Sequence, residues 1–594
     1  MPDITLINPP IGQDTGNHPL PYNLWQLASF VKSLEFTPAL LDLNFIWRKW
    51  GANYDTLKAR VLDVDSPIVG FTCMGNNFPT ALELATDLKE TRPDVVVVFG
   101  GPHVSLVGDA VLRTYSCVDY VVVGEGEFTL REMLATDVRD WPNIPGVLSK
   151  GCSLTPRALM PTLDLLPPLD LRLLNWEGYH TPLLRDHFAF PLLAGSGCPF
   201  SCTFCSTSVM WKRRFRVKSP TRLVREMQVL LAETGCRKFD LVHDIFTANK
   251  RYVGEFCAEV TGKDLRWLCS SRIDSLDANE VAQMSSAGCA GIFFGVESAS
   301  STVQRAIGKR LKVERILPTL DTCVQQGIDC VCSTLFGLPQ ETWEDISATA
   351  QLCIDARSLG VGRANMHMLM SLPGTEIYRT AKLADQIDER DLRRSSLPIA
   401  SQRAKGWIEC HPNLFSAFRW VEHESITKDE MYDVMSWGTH LATHPESLGH
   451  VLRQCHGQLR EAIHALSQYS NPTTAPTIAL ERAAQQGTFA GLRQIFREEQ
   501  RIATILAAYR SNNLSAQRRF AYWLCRSETK RGILYEVAPD AVTINIYGLT
   551  EREWHEWNIP EDTSILTTND LEQLGPCWPV MKPGQEPRSH YAIH

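Results

Sequence analysis

Phe190-Pro191-Leu192-Leu193-Ala194-Gly195-Ser196-Gly197-Cys198-Pro199-Phe200-Ser201-Cys202-Thr203-Phe204-Cys205 is the stretch on which the reading of this chain turns. An apolar run that gives way to Gly-Ser-Gly reads as a strand entering a tight turn. The cysteines that follow, Cys198, Cys202 and Cys205, stand four and three residues apart. At that spacing three thiolates can reach three corners of one [4Fe–4S] cube and leave the fourth iron without a cysteine. Zinc is the alternative at this point. It ordinarily takes a second closely spaced Cys or His pair, which the loop lacks, although His243 further along could act as a distant ligand.

The other fifteen of the eighteen cysteines are scattered, and Cys257, Cys269 and Cys353 fall in apolar patterns as small core residues. The chain opens Met1-Pro2-Asp3-Ile4-Thr5-Leu6, without a basic stretch followed by an apolar one. No secretory signal is expected, and a reducing, cytoplasmic setting is expected instead. With 594 residues, 44% hydrophobic and 21% charged, the chain can bury several cores, and roughly two to four domains follow. Lys plus Arg number 59 against 67 Asp plus Glu, a net charge of −8. Such a balance points away from nucleic acid as a partner. The basic run Lys212-Arg213-Arg214-Phe215-Arg216 is short enough for a solvated loop or a contact with a small anion. No apolar stretch reaches membrane-spanning length, so no membrane partner is expected.

Residues 1–140 alternate strand and helix. Strands are expected at Ile4–Asn8, Ala39–Leu43, Ile68–Thr72, Val95–Phe99 and Val118–Val123, which makes a doubly wound, Rossmann-like parallel sheet. Ligands of such sheets sit at the carboxyl ends of the strands. Those ends carry Asn8-Pro9-Pro10, Thr72-Cys73-Met74-Gly75-Asn76-Asn77, Gly100-Gly101-Pro102-His103 and Gly124-Glu125-Gly126-Glu127. Each turn alone could be structural, but four together favour a nucleotide-like or cofactor ligand. Residues 141–188, broken by Pro142, Pro145, Pro156, Pro161, Pro167 and Pro168, read as a linker. From 189 to 380 a second alternation begins, with strands expected at Phe190–Ala194, Lys238–Val242, Trp267–Ser270, Gly291–Gly295, Asp329–Thr334 and Arg363–Met368. Six strands joined by helices fit a partial or full parallel βα barrel with its active loops at the strand C-termini. Residues 381–594 read as mainly helical, including Leu448–Tyr469 and Ile478–Arg510, with a late pair of strands at Ile533–Val537 and Val542–Tyr547.

The cysteine loop, with an aromatic before its last cysteine and set after the first strand of a six-strand βα pattern, resembles the radical SAM superfamily. Later strand ends agree in order: Asp244-Ile245-Phe246-Thr247, Ser271-Arg272-Ile273-Asp274, Gly295-Val296-Glu297-Ser298, Phe336-Gly337-Leu338-Pro339-Gln340-Glu341-Thr342 and Leu372-Pro373-Gly374-Thr375. The doubly wound domain ahead of the barrel makes the whole look like the cobalamin-binding, class B methyltransferase-like radical SAM enzymes, over roughly residues 1 to 380. The Asp-x-His-x-x-Gly signature of many cobalamin proteins does not occur, so the resemblance implies cobalamin held without that histidine.

The resemblance implies an α/β enzyme with a [4Fe–4S] cluster on Cys198, Cys202 and Cys205, S-adenosylmethionine on the open iron, and cobalamin. Asp244, Arg272, Glu297 and Ser298 are the implied contacts of S-adenosylmethionine, with charges that suit its ammonium and carboxylate. Glu297 and Arg272 could instead simply pair with each other. The implied cobalamin contacts are Asn8, Pro10, Gly75, Asn76, Gly100, Gly101, His103, Gly124, Glu125 and Gly126. The expected reaction is methyl transfer to an unactivated carbon of a small-molecule or peptide natural-product intermediate, fed by an electron donor such as flavodoxin or ferredoxin. The alternatives are a radical rearrangement, ring contraction or cyclisation without net methyl transfer, and a non-catalytic cobalamin or iron–sulfur sensor. Trp407, Phe415, Phe418 and Trp420 could wall a substrate pocket in the C-terminal region or belong to a core.

Overall fold

The computed structural model describes residues 1–11, 20–179, 189–384, 387–394, 401–469, 476–497 and 499, with four further strands between 520 and 567. They divide into two units. The first is made of Met1–Thr181, Phe188–Phe246 and Leu369–Glu422, and the second of Thr247–Met368 and the described residues from His423 onward.

The first unit contains a six-stranded sheet of β1 (Ile4–Asn8), β2 (Pro38–Asp42), β3 (Ile68–Thr72), β4 (Val96–Gly100), β5 (Tyr120–Val122) and β6 (Val147–Ser149), in the order β2-β1-β3-β4-β5-β6. The first five are parallel, and β6 runs antiparallel to β5. Near-continuous apolar strands are what a sheet covered on both faces requires. Successive residues serve opposite cores. Ile7, Val69, Phe71, Val97 and Phe99 pack with Leu57, Ala81, Leu84 and Val104, whereas Leu6, Ile68 and Val98 pack with Leu24, Ala28, Leu130 and Met133. The direction of winding reverses between β1 and β3, which places a crevice outside their carboxyl ends.

The stretch from 141 to 188 is less of a bare connection than its prolines suggest. Val147–Ser149 is the sheet's sixth strand, three residues too short to show a period. Further along, the Pro-rich strap lies on helix Tyr22–Ser33. The Trp25 indole donates to the Asp170 carbonyl at 2.9 Å, Gln26 donates to the Pro167 carbonyl at 2.9 Å, and Asp170 N–H donates to Ser29 Oγ at 3.0 Å.

The same unit holds β7 (Phe190–Leu193) and the short antiparallel pair β8 (Gly195–Ser196) and β9 (Arg216–Val217). It also holds β10 (Lys238–Val242), parallel to β7. Phe415 and Phe418 are not pocket walls. Both are fully buried in the core beneath the six-stranded sheet, with the Phe415 ring 5.2 Å from Phe78. Trp407 packs edge-on to Tyr115 at 5.4 Å against the same core.

In the second unit β11 (Arg266–Arg272), β12 (Cys289–Glu297), β13 (Asp329–Phe336) and β14 (Arg363–Met368) are parallel neighbours in chain order. Helices Ala278–Ser286, Ile316–Gln325 and Trp343–Ser358 supply the crossovers. The second unit continues with helices Lys428–Thr443, Pro445–Gln454, Leu459–Ser467 and Pro476–Gln486, so the expected helix over Leu448–Tyr469 is two. Beyond them lie β15 (Phe520–Leu524), β16 (Gly532–Val537), β17 (Thr543–Tyr547) and β18 (Ile565–Thr567), an antiparallel sheet where only a strand pair was expected. The end of the expected helix Ile478–Arg510, from residue 500 on, lies outside the described residues. Among the described residues no helix is long and apolar enough to cross a membrane.

Candidate cofactor site

The cysteine loop leaves β8 through Gly197, at φ +88, where a side chain would drive a Cβ into the Arg214 carbonyl oxygen. Only glycine makes this turn. Asp244, just past the end of β10, holds the turn from the other side. Its carboxylate accepts from Gly197 N–H at 2.6 Å and from Thr207 Oγ1 at 3.1 Å. The loop is tied again where Ile377 N–H donates to the Thr203 carbonyl at 3.1 Å. Cys198, Cys202 and Cys205 are left half-buried.

Burial, then the neighbouring Cys205 and Cys202 thiols and Asp244, push the Cys198 thiol up to about 11. Three thiolates crowded here need a cation to neutralise them. Among the described residues no three His, Cys, Asp or Glu side chains gather as they would round one metal ion. A cube asks for something else, one thiolate per iron, and the loop fits that demand better than it fits zinc. Among the described residues, His243 does not join the thiols in a metal-holding group either. Its ring is buried against Gly195 and 4.8 Å from Phe215, and burial pushes it down to about 3.

The carboxyl edge of the six-stranded sheet fits a large ligand in part. Gly124, at φ +83, has nothing within 4 Å of where a Cβ would stand, and Gly100 and Gly126 have nothing closer than 3.5 Å. Gly101 is different. At φ +103, its Cβ would meet the Cys73 carbonyl oxygen at 2.8 Å, so its role is to let two strand ends approach. Gly75 faces Ala417 at 3.0 Å, Asn76 is half-buried and Pro10 is buried.

Three of the expected cofactor contacts have neighbours within the chain. Asn8 donates to Asp42 Oδ1 at 2.8 Å, and the Tyr179 hydroxyl donates to Asp42 Oδ2 at 2.9 Å. His103 is buried with its ring 4.7 Å from Phe78, and burial pushes it down to about 4. Glu125 accepts from Arg216 at 2.6 Å with one oxygen and from Met160 N–H at 2.6 Å with the other. Their positions at strand ends are visible in sequence, but their partners are not.

In the second unit Arg272 and Glu297 do not pair with each other. Arg272 forms a fork on Asp274 at 3.0 and 2.9 Å and donates to the Lys309 carbonyl at 2.8 Å. Glu297 pairs with Lys309 Nζ at 2.5 Å, both side chains being buried to 10% and 8% exposure. Gly295 makes room for that pair, since a Cβ there would stand 2.7 Å from Glu297 Oε1 and 2.9 Å from Lys309 Nζ. Ser298 is fully buried, with its hydroxyl 3.3 Å from Thr349 Oγ1 and accepting from Ser300 N–H at 3.1 Å. Asp274 and Lys309, the partners of Arg272 and Glu297, were not among the expected contacts. Asp274 lies within the quoted Ser271–Asp274 end, whereas Lys309 falls in a loop without a motif.

The two faces of β11–β14 differ. Trp267, Cys332, Thr334 and Met366 turn to helices: Trp267 meets Phe256, Thr334 lies 3.6 Å from Cys353 Sγ, and Met366 meets Gly438. By strand alternation and register, Ser270, Phe293, Val331 and Arg363 form one row of the opposite face and Arg272, Gly295, Ser333 and Asn365 the next, with Leu335 and His367 beyond. Arg363 and Asn365 are half-buried and His367 is exposed. In a filled barrel these positions would be packed and apolar. Here Val331, Arg272 and Ser333 are buried, while Ser270, Arg363, Asn365 and His367 are the polar positions that keep some exposure.

Two family descriptions match this chain, the radical SAM superfamily over residues 192–353 and the B12 binding domain over residues 11–134. An uncharacterised methyltransferase of Pyrococcus horikoshii is 30% identical over 326 residues, spanning 53% of this chain and 70% of the relative. The anaerobic magnesium-protoporphyrin IX monomethyl ester cyclase of Rubrivivax gelatinosus is 26% identical over 61% of this chain and 67% of its own length. Among solved structures, the radical S-adenosylmethionine methyltransferase TsrM of Kitasatospora setae, with cobalamin and a [4Fe–4S] cluster bound, matches at a TM-score of 0.55. That match is 18% identical and covers 78% of this chain and 98% of that one. The chain belongs to the cobalamin-binding enzymes of the radical SAM superfamily. It is an α/β enzyme whose cofactors are S-adenosylmethionine, a [4Fe–4S] cluster and cobalamin.

Proposed function

We propose that this enzyme is a C-methyltransferase acting on an unactivated carbon of a small-molecule or peptide intermediate in natural-product biosynthesis. The observation that carries this reading is the coexistence, in one unit, of a cysteine loop pinned by Asp244 and a glycine-lined sheet edge with open backbone at Gly100, Gly124 and Gly126. The methyltransferase from Pyrococcus horikoshii supports it. When bound, the cluster and S-adenosylmethionine supply a 5′-deoxyadenosyl radical, and cobalamin supplies the methyl group.

The chain's own residues have separable tasks. Cys198, Cys202 and Cys205 ligate the cluster, and Asp244 acts first on their loop, with lone pairs left for the ammonium of S-adenosylmethionine. By charge, Arg272 is proposed for its carboxylate and Glu297 as the alternative to Asp244 for its ammonium. The strip of Arg363, Asn365 and His367 offers polar contacts to an acceptor. A cytoplasmic reductant such as flavodoxin or ferredoxin supplies electrons, and nucleic acid is not the acceptor.

Anaerobic reconstitution with iron, sulfide and cobalamin, followed by mass spectrometry of S-adenosylmethionine products with candidate extracts, tests this. Methyl transfer yields S-adenosylhomocysteine together with 5′-deoxyadenosine. The cyclase from Rubrivivax gelatinosus favours a second reading, ring formation without methyl transfer. In that case 5′-deoxyadenosine forms alone.

A further inference from the structure

Arg216, the last residue of the basic run Lys212–Arg216, is neither solvated nor free for an anion. It lies on β9, directly across from Ser196 of β8, two residues before Cys198. Its guanidinium donates to Glu125 Oε1 at 2.6 Å and to the Met160 carbonyl at 3.0 Å, with Ser196 Oγ at 3.4 Å. Glu125 closes the figure by accepting from Met160 N–H at 2.6 Å. Glu125 stands in the Gly124–Glu127 turn at the carboxyl edge of the six-stranded sheet. One ion pair therefore spans from the sheet edge to the strand that carries the cysteine loop, 91 residues away in the chain.

The geometry is rigid for physical reasons. The side chains are 11% and 14% exposed, so water screens the charges little. The guanidinium is a planar fork that holds a carboxylate and a carbonyl at once, which a lysine cannot do. Its outer face lies 5.6 Å from the Trp211 ring centroid. Both carboxylate oxygens of Glu125 are engaged within the chain.

We propose that Glu125, Arg216 and Met160 form a strut that fixes the spacing between the cobalamin edge of the sheet and the cluster loop. This rests on the placement of cobalamin and cluster proposed above. Glu125 and Arg216 are positioning residues; they hold the turn and the loop, and neither touches the reacting atoms.

Arg216→Lys and Glu125→Gln, made in the full chain and loaded with iron, sulfide and cobalamin, test it. Cofactor content should match the parent protein. Pulsed EPR of the cob(II)alamin and reduced-cluster pair should show a shifted or broadened distance distribution in both variants. The ratio of 5′-deoxyadenosine to S-adenosylhomocysteine should rise by about fivefold or more as radical formation loses its methyl partner. An unchanged distance distribution in both variants overturns the strut. So does loss of both cofactors from the near-isosteric Glu125→Gln protein, which would make the pair a folding element. If the parent forms no S-adenosylhomocysteine, methyl transfer fails as the function, while the distance measurement still decides the strut.

Discussion

Glu297 sits at φ +68, in the left-handed region that a glutamate occupies only when its surroundings hold it there. The holding group is Lys309, and the space is Gly295. Replacing Lys309 with methionine leaves a carboxylate buried without its cation. Chemical denaturation should show a loss of about 3–5 kcal/mol, largely recovered in the Lys309→Met, Glu297→Gln double variant. The turn at Gly197 is governed by space in the same way. Gly197→Ala should displace the loop from Asp244, lowering iron and sulfide content while cobalamin content stays at the parent level. Equal iron in both proteins would show that the turn is not what seats the cluster. Alanine at Cys198, Cys202 or Cys205 removes a proposed cluster ligand. Each variant should lose the cluster's visible absorption shoulder and the reductive cleavage of S-adenosylmethionine.

Among the elements, the loop after β13 depends on one acid. Glu341 is buried, and its carboxyl accepts from Gly337 N–H at 2.7 Å and Leu338 N–H at 3.2 Å. Burial pushes it from 4.5 up to about 8 despite those donors. The folded chain thus holds this proton more tightly than the unfolded chain does. Raising the pH from about 4.5 to about 8 strips the unfolded form first, so stability falls across that window and levels off above it. Denaturant titrations at several pH values should show this fall, and Glu341→Gln should flatten its share of it. The segment around Phe415 is an element of another kind, an apolar plug. Phe415→Ala should cost about 3–5 kcal/mol through the cavity left beside Phe78. A double-mutant cycle with Phe78 should return a coupling of about 0.5–1.5 kcal/mol beyond burial.

Across the whole molecule, burial raises Asp42 to about 6, Asp240, Glu127 and Glu499 to about 7, and Glu341 to about 8. All five act with the same sign. They are opposed below about pH 6.5 by His103 and His444, held down to about 4, and His243, held down to about 3, whose neutral buried forms favour folding more as the pH rises. Above about 6.5 the acids alone remain, so stability should fall from there to about pH 8. A stability that rises from about pH 6.5 to about pH 8 would contradict this.

The parallel alternation of β1 to β5 and the cysteine loop were legible because their signals are local. Apolar runs of strand length, glycines at turns and the four-and-three spacing follow from backbone sterics and ligand reach within a few residues. β6, three residues long, exists only through its pairing with β5. Charges were the least legible. Glu125, Arg272 and Glu297 stand where the pattern put them, but Arg216, Asp274 and Lys309 were chosen as partners by the way strand ends and loops meet. Chemistry that depends on residue type and short spacing was therefore set by the sequence alone. Which cation each carboxylate pairs with was decided in the tertiary structure, because a buried charge pairs with whatever ion packing brings within reach.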